Sequence, residues 1–235
     1  MTENVSRINS QELYDSFNSF IMSRDRGIFG KLIARTLVYE TVSSVPGDIV
    51  ECGVFKGSGM YTFLKLKQIF NPNSIKKVIG FDFFNAQQLL DSIKNPVDRE
   101  TMSGMFTDRK FIPGVSYSYT DYLSNKLVAD GFSPEEFMLV EGDISYTSEQ
   151  FVLDHPGFKI SLLYIDLDTD VPTYNTLINL WDRMTIGGKV VFDEYANHDW
   201  SESKGVDRFI EERCIQIHSI DCSFGGGPTA YIIKE

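Results

Sequence analysis

The stretch Asp48-Ile-Val-Glu-Cys-Gly-Val-Phe-Lys-Gly-Ser-Gly59 constrains the fold of this chain more than any other. Pro46-Gly47 closes what precedes it, Asp48 to Cys52 is a short β-prone run, and Gly53, Gly57 and Gly59 lead into a segment of helical period. The reading is strand, glycine loop, helix. Residues without Cβ accept positive φ and let a ligand approach the backbone, while the first N–H groups of the following helix add a weak positive field. A dinucleotide fingerprint would run G-x-G-x-x-G; here the order is E-x-G-x-x-x-G-x-G, with Glu51 two residues ahead of Gly53. A carboxylate at that point suits a ligand bearing an ammonium or hydroxyl groups better than a bare pyrophosphate. Glu51, Gly53, Val54, Gly57 and Ser58 are therefore the first candidate cofactor contacts.

The rest of the chain repeats the theme of a strand followed by an acid. Residues 77–83 form a second strand ending in Asp82 and Phe83, and Asp82 lies 23 residues after Gly59, about one crossover helix further on. An acid at that place can accept both hydroxyls of a ribose. Residues 137–141 make a third strand, followed by Gly142-Asp143-Ile144. Residues 160–165 are almost wholly apolar, as in a strand buried on both faces, and run into Asp166-Leu-Asp168-Thr-Asp170. Helical spacing over 173–184 is closed by Gly187-Gly188, and a fifth strand at 189–192 leads to Asp193-Glu194. Residues 203–213 read as helix, and 215–221 with 230–234 as an antiparallel hairpin at the sheet edge, joined by a turn from Gly225 to Pro228. Two amphipathic helices fill residues 1–45, and residues 84–136 exceed one crossover, which predicts a substrate-covering insertion with one or two helices.

In an open parallel sheet the carboxyl ends of the strands share one rim, where ligands bind. Glu51, Asp82, Asp143, Asp166 and Asp193 all fall on that rim. They divide into two groups. Glu51, Asp82 and Asp143, with Phe83 and Ile144, suit a nucleoside-like cofactor: amino group, ribose and base edge. Asp166, Asp193 and Glu194 come from adjacent strands, and their mutual repulsion would raise a pKa unless a cation sat among them. A hard divalent ion such as Mg²⁺ takes oxygen ligands of this kind. The candidate catalytic residues are Asp166, Asp168 and His198; the imidazole of His198 titrates near neutrality and could act as a base, with Asp168 or Asp199 as alternatives.

A single domain of 235 residues can bury a substantial core. The net charge of −11 argues against nucleic acid and anionic membranes as partners. Cys52, Cys214 and Cys222 lack metal-ligand spacing and read as reduced thiols, and no run has the length of a membrane span. The expectation is a soluble, cytoplasmic protein.

Glu51-Cys-Gly-Val-Phe-Lys-Gly, Gly80-Phe-Asp82-Phe, Tyr164-Ile-Asp166-Leu-Asp168 and Phe192-Asp-Glu-Tyr195-x-x-x-x-Trp200 together resemble the macrocin/mycinamicin O-methyltransferase family over roughly residues 30–234. The closer likeness is to its branch acting on nucleotide-activated deoxysugars. The resemblance implies a class I methyltransferase α/β fold, Rossmann-like: a seven-stranded, mostly parallel sheet of order 3-2-1-4-5-7-6 with an antiparallel C-terminal hairpin. It implies S-adenosylmethionine as cofactor, Mg²⁺ or another divalent ion on Asp166, Asp193 and Glu194, and a homo-oligomer. The expected activity is O-methylation of a sugar hydroxyl, with a nucleotide sugar as acceptor. Phe81-Asp-Phe-Phe-Asn85 departs from the Thr-Phe-x-Gly-Phe-Pro continuation of that branch. For a diphosphate, Arg24, Arg26, Lys56 and Arg109 are available cations. The rival readings are an O-methyltransferase of another natural product, an NAD(P)-linked oxidoreductase, and a binding protein without turnover.

Overall fold

The computed structural model describes residues 10–108, 119–222 and 226–235. Among them are seven strands: β1 (Asp48–Cys52), β2 (Val78–Asp82), β3 (Phe137–Glu141), β4 (Ile160–Ile165), β5 (Met184–Phe192), β6 (Ile217–Ser219) and β7 (Ala230–Ile233). They form one sheet of order β3-β2-β1-β4-β5-β7-β6. The first five strands are parallel, and β7 runs antiparallel to both β5 and β6. The expected sheet order and C-terminal hairpin are therefore present; Gly225, placed in its turn, lies outside the described residues.

The helices are α1 (Ser10–Ile21), α2 (Gly27–Val42), α3 (Ser58–Phe70), α4 (Ala86–Ser92), α5 (Pro96–Asp108), α6 (Tyr119–Ala129), α7 (Ile144–Asp154), α8 (Asp170–Leu180) and α9 (Glu202–Arg213). Side chains alternate across a strand, so each strand feeds two cores. Ile49, Leu162 and Tyr164 meet Tyr39 of α2, Phe63 of α3 and Leu123 of α6 on one face. Val50, Leu163 and Ile165 meet Phe151 of α7, Leu177 of α8 and Phe209 of α9 on the other. Glu51 pairs in register with Tyr164, so both point to the face that α2 covers. This alternation brings α2 into the site. None of the described helices is long and apolar enough to cross a membrane, and Cys52, Cys214 and Cys222 are all free thiols.

Three local readings need correction. The helix expected over 173–184 ends at Leu180, a 3-10 turn covers Trp181–Arg183, and β5 starts at Met184, well before Gly187-Gly188. The glycine pair lies inside the strand because the β4–β5 register slips between Ile160 and Leu162. A Cβ at Gly188 would press on the carbonyls of Thr185 and Ser161 at 2.8 and 2.9 Å, so the bulge requires glycine there. Residues 84–136 hold three described helices instead of one or two, with 109–118, including Arg109, outside the described residues. Of these, α6 buries Leu123 and Leu127 against the sheet and is the ordinary crossover between β2 and β3. Of the three, only α4 and α5 line the cleft at the strand ends. α7, for which the sequence reading had no element, follows Asp143, whose side chain accepts a bond from Ser145 N and caps it.

Candidate active site

The carboxyl ends of β1 to β5 open into a cleft of about 690 Å³ lined by Glu51, Asp82, Asp143, Asp166, Asp168, Asp193 and Glu194. Every rim acid picked out from the sequence is thus in one cavity. Gly53, Val54, Ser58, Phe83 and Ile144 line it too. Gly57 is the left-handed residue that starts α3, with φ of 90°, and shapes the loop from behind.

Asp82 organises the glycine loop directly. Its Oδ2 accepts hydrogen bonds from Val54 N and Phe55 N, and its Oδ1 from Phe84 N, each at 2.8 Å. Burial raises its pKa, and the three amides partly offset this. Gly53, with φ of 90°, lies against the carbonyl of Asp166, where a Cβ would collide with it. Asp166 N in turn donates to Cys52 O at 2.8 Å. The cofactor loop and the acid loop are therefore in backbone contact.

Glu51 is 1% exposed and lies beneath the loop, with its Oε1 against Gly59 and 3.5 Å from Arg35 Nη2. Its Oε2 has no hydrogen-bond partner among the described residues. Burial pushes its pKa up to about 8, outweighing the Arg35 guanidinium. The unfolded value is the ordinary 4.5, so the folded chain holds a proton there that the unfolded chain releases. The associated stability is complete below about pH 4.5 and is lost as pH rises through about 8. In EDTA and without cofactor, the melting temperature should fall between pH 6 and 9, and Glu51→Gln should flatten that slope. A melting temperature that climbs over this range would refute the assignment.

The second acid group has a cation already in it. Lys31 Nζ lies 3.0 Å from Asp166 Oδ2 and 2.7 Å from Asp193 Oδ2. The Tyr164 hydroxyl donates to Asp193 Oδ1, and Arg35 stacks over the Tyr164 ring at 4.8 Å, with its Nη2 3.8 Å from Asp166. Burial and the Asp166 charge raise Asp193 to about 6, and burial with the Asp193 charge raises Glu194 to about 7. Glu194 also accepts a bond from Asn197, and its backbone N–H donates to Glu202 Oε1 at 3.0 Å. Glu202 is fully buried, and its Oε2 has no hydrogen-bond partner among the described residues. Asp168 takes a positive φ of 63° beside these acids, and burial followed by the Asp166 charge raises its pKa well above the carboxylate range.

A buried carboxylate oxygen without a partner, under a loop with no Cβ at Gly53 or Gly59, suits an ammonium-bearing ligand. For a divalent ion the donors are all hard oxygens, as Mg²⁺ prefers. Among the described residues, no three acid, histidine or cysteine side chains stand as a ready-made group for an ion, since the Lys31 ammonium occupies the place between Asp166 and Asp193.

His198 is exposed and does not line the cleft, and the same is true of Asp199. Arg24, Arg26 and Lys56 are also exposed and outside the lining. Three cations that do line the cleft were missed: Lys94 and, on α2, the pair Lys31 and Arg35. Their four-residue spacing on α2 was the available signal, since it puts both on one helical face.

The cover is tied to the acid rim. Ser201 donates to Asp98 Oδ2 of α5 at 2.7 Å and accepts from Asp170 N, the first residue of α8, at 3.1 Å. Asp98 is 2% exposed, and beyond it Met102, Met105 and Phe106 face the cleft. Removing the hydroxyl would leave a buried carboxylate oxygen unpaired, at a cost of about 1–3 kcal/mol. Ser201→Ala should therefore speed proteolytic nicking of residues 86–108 by roughly tenfold; an unchanged rate would show that the link does not hold the cover.

This strand order, with a glycine loop after the central β1 and an acid closing β2, is the fold of the class I methyltransferases. Residues 34–223 match the TylF macrocin-O-methyltransferase family, so the chain belongs to that family. That family is one of O-methyltransferases. A calicheamicin methyltransferase, CalS11, superposes with a TM-score of 0.75 at 26% identity, covering 97% of this chain and 86% of that one. An apo structure of CalS11, described as a TDP-rhamnose 3'-O-methyltransferase, gives a TM-score of 0.72 at 27% identity over 97% and 88% of the two chains. A relative from Streptomyces olivaceus, 8-demethyl-8-(2,3-dimethoxy-alpha-L-rhamnosyl)-tetracenomycin-C 4'-O-methyltransferase, is 25% identical over 185 residues. The match spans 74% of this chain and 66% of that relative's length.

Proposed function

We propose that this enzyme transfers the methyl group of S-adenosylmethionine to a hydroxyl of a deoxysugar, assisted by a divalent cation. The observation that carries the reading is the division of the rim acids. Glu51 and Asp82 lie at the glycine loop, and Asp166, Asp168, Asp193 and Glu194 follow β4 and β5 next to it in the same cleft.

Glu51 would hold the cofactor's ammonium, Asp82 the ribose through its remaining lone pairs, and Asp143 with Ile144 the base edge. Bound there, S-adenosylmethionine supplies an electrophilic methyl: its carbon–sulfur bond breaks as the carbon–oxygen bond forms, and sulfur keeps the electron pair. A divalent ion held by Asp166, Asp193 and Glu194 would polarise the acceptor hydroxyl as a Lewis acid. Asp168 would take the hydroxyl proton once bound positive charge in the cleft has ionised its carboxyl; it lines the cleft, whereas His198 is on the exposed loop. The α4–α5 cover excludes water and aligns the acceptor, which can contribute several kcal/mol. The rhamnose compounds named for two relatives support a deoxysugar acceptor, either nucleotide-linked or already joined to an aglycone. Lys94 in the cover lines the cleft and favours the nucleotide-linked form.

Calorimetric titration with S-adenosylmethionine and then TDP-deoxysugars, each with Mg²⁺ and with EDTA, tests this. Cofactor binding in both conditions, with sugar binding only when Mg²⁺ is present, supports the reading. No cofactor binding in either would overturn it. We also infer self-association through the N-terminal helices, where Leu13, Phe17, Ile28, Leu32 and Leu37 are all more than 40% exposed; a monomer by light scattering would remove that inference.

A further inference from the structure

The two basic residues of α2 behave differently. Arg35 is fixed: its side chain is 7% exposed, it reaches Glu51 and Asp166, and its guanidinium lies over the rings of Tyr164 and Phe63. Lys31, one turn earlier, is 26% exposed along its side chain and touches the site only through its ammonium, which bridges Asp166 Oδ2 and Asp193 Oδ2. Lysine is a compact point charge on a flexible four-carbon stem, so rotation about that stem can carry the charge out past the exposed edge of α2.

The position it fills is the one the metal reading needs. The Tyr164 hydroxyl engages Asp193 Oδ1, and Lys31 holds Asp193 Oδ2 and Asp166 Oδ2, so a cation held by Asp193 and Asp166 would contend with the ammonium for those two carboxylates. An ion about 2.1 Å from those oxygens would stand within a few ångströms of an ammonium that is itself 2.7 and 3.0 Å from them, and like charges at that separation repel strongly. The remaining acids feel the charge of Lys31 without an ion pair to it. Glu194 is held by Asn197, and buried Glu202, with one oxygen lacking a hydrogen-bond partner among the described residues, lies near enough to Asp168 and Asp166 to feel their charge.

We propose that the ammonium of Lys31 and a divalent cation compete for one position between Asp166 and Asp193, with Lys31 serving as the counter-ion whenever the ion is absent. This rests on the metal reading above and adds to it a reason for the lysine. The acid pair is neutralised before any ion arrives, so α2 can pack on the sheet without burying bare carboxylates. Occupation by the ion then requires Lys31 to swing outward.

Titration with Mn²⁺ followed by electron paramagnetic resonance, without cofactor or acceptor, tests the competition. Lys31→Met keeps the stem and removes the charge; it should bind Mn²⁺ at least about tenfold more tightly than the wild type. Equal or weaker binding by a folded variant overturns the competition and leaves the metal reading standing. Mn²⁺ bound by the variant alone upholds the competition and removes metal dependence from the native enzyme. No binding by either, at millimolar ion, removes both. Should the variant fail to fold, the native protein answers instead. Reductive methylation of Lys31, followed by mass spectrometry, should accelerate severalfold on adding Mg²⁺, and an unchanged rate would overturn the proposal.

Discussion

Asp82→Ala is expected to weaken S-adenosylmethionine binding by about a hundredfold or more, equally in Mg²⁺ and in EDTA. The wild-type carboxylate accepts three backbone N–H groups, two of them from the glycine loop at Val54 and Phe55. Bonds to an ionised acceptor are worth about 1.5–3 kcal/mol each, and the variant also loses the proposed ribose contact. A loss of about 3 kcal/mol already corresponds to more than a hundredfold in affinity. Because the loop amides would turn to water, the variant should also unfold at lower urea. Calorimetry decides the matter: affinity within threefold of wild type would mean that neither the loop anchor nor the ribose contact operates. Asp82→Asn should fall between, since its amide oxygen can still serve one side of the loop while its NH₂ faces an N–H on the other.

Asp193→Asn should reduce turnover by at least about a thousandfold while changing cofactor affinity by no more than a few fold. The residue is 1% exposed and joined to both Lys31 and Tyr164, so an amide there must turn its NH₂ toward one of two donors. Loss of one charge from a buried pair costs about 3–5 kcal/mol, and a Lewis acid bound at this point would lose a principal ligand. Single-turnover methyl transfer with saturating cofactor separates the chemical step from binding. A variant with more than a tenth of native activity would show that Asp193 has no part in the reaction.

The acid rim was legible because strand ends announce themselves: a short apolar run followed by a carboxylate recurs five times, and the parallel sheet must bring those ends together. Asp82 was found by the same spacing, yet its bonds to Val54 and Phe55 were not foreseeable, since they depend on how the loop folds back. Lys31 and Arg35 escape a sequence reading because α2 looks there like any amphipathic helix, and only the side-chain alternation of β1 and β4 shows that its inner face meets Glu51 and Tyr164. Glu202 was hidden for another reason. A charged residue at a helix start normally reads as solvent-facing, and its burial follows from α9 packing against the loop that carries Asp168. At β5 the glycine pair reads as a helix terminator, whereas it lies in a bulge that lets the strand continue.

The ladder between β1, β4 and β5 acts as a ruler. Glu51 is in register with Tyr164, and Ile165 with Phe192, the residue before Asp193. Neighbouring strands are about 4.8 Å apart, so the donor side and the acceptor side are separated by a span that backbone hydrogen bonds hold constant. The α4–α5 segment lies outside that ladder, and apart from buried Ile93, Asp98 and Met102 its side chains are not fixed by the core. On the proposed function, exchanges among its exposed residues should alter which acceptor is taken while leaving the strand spacing beneath it unchanged.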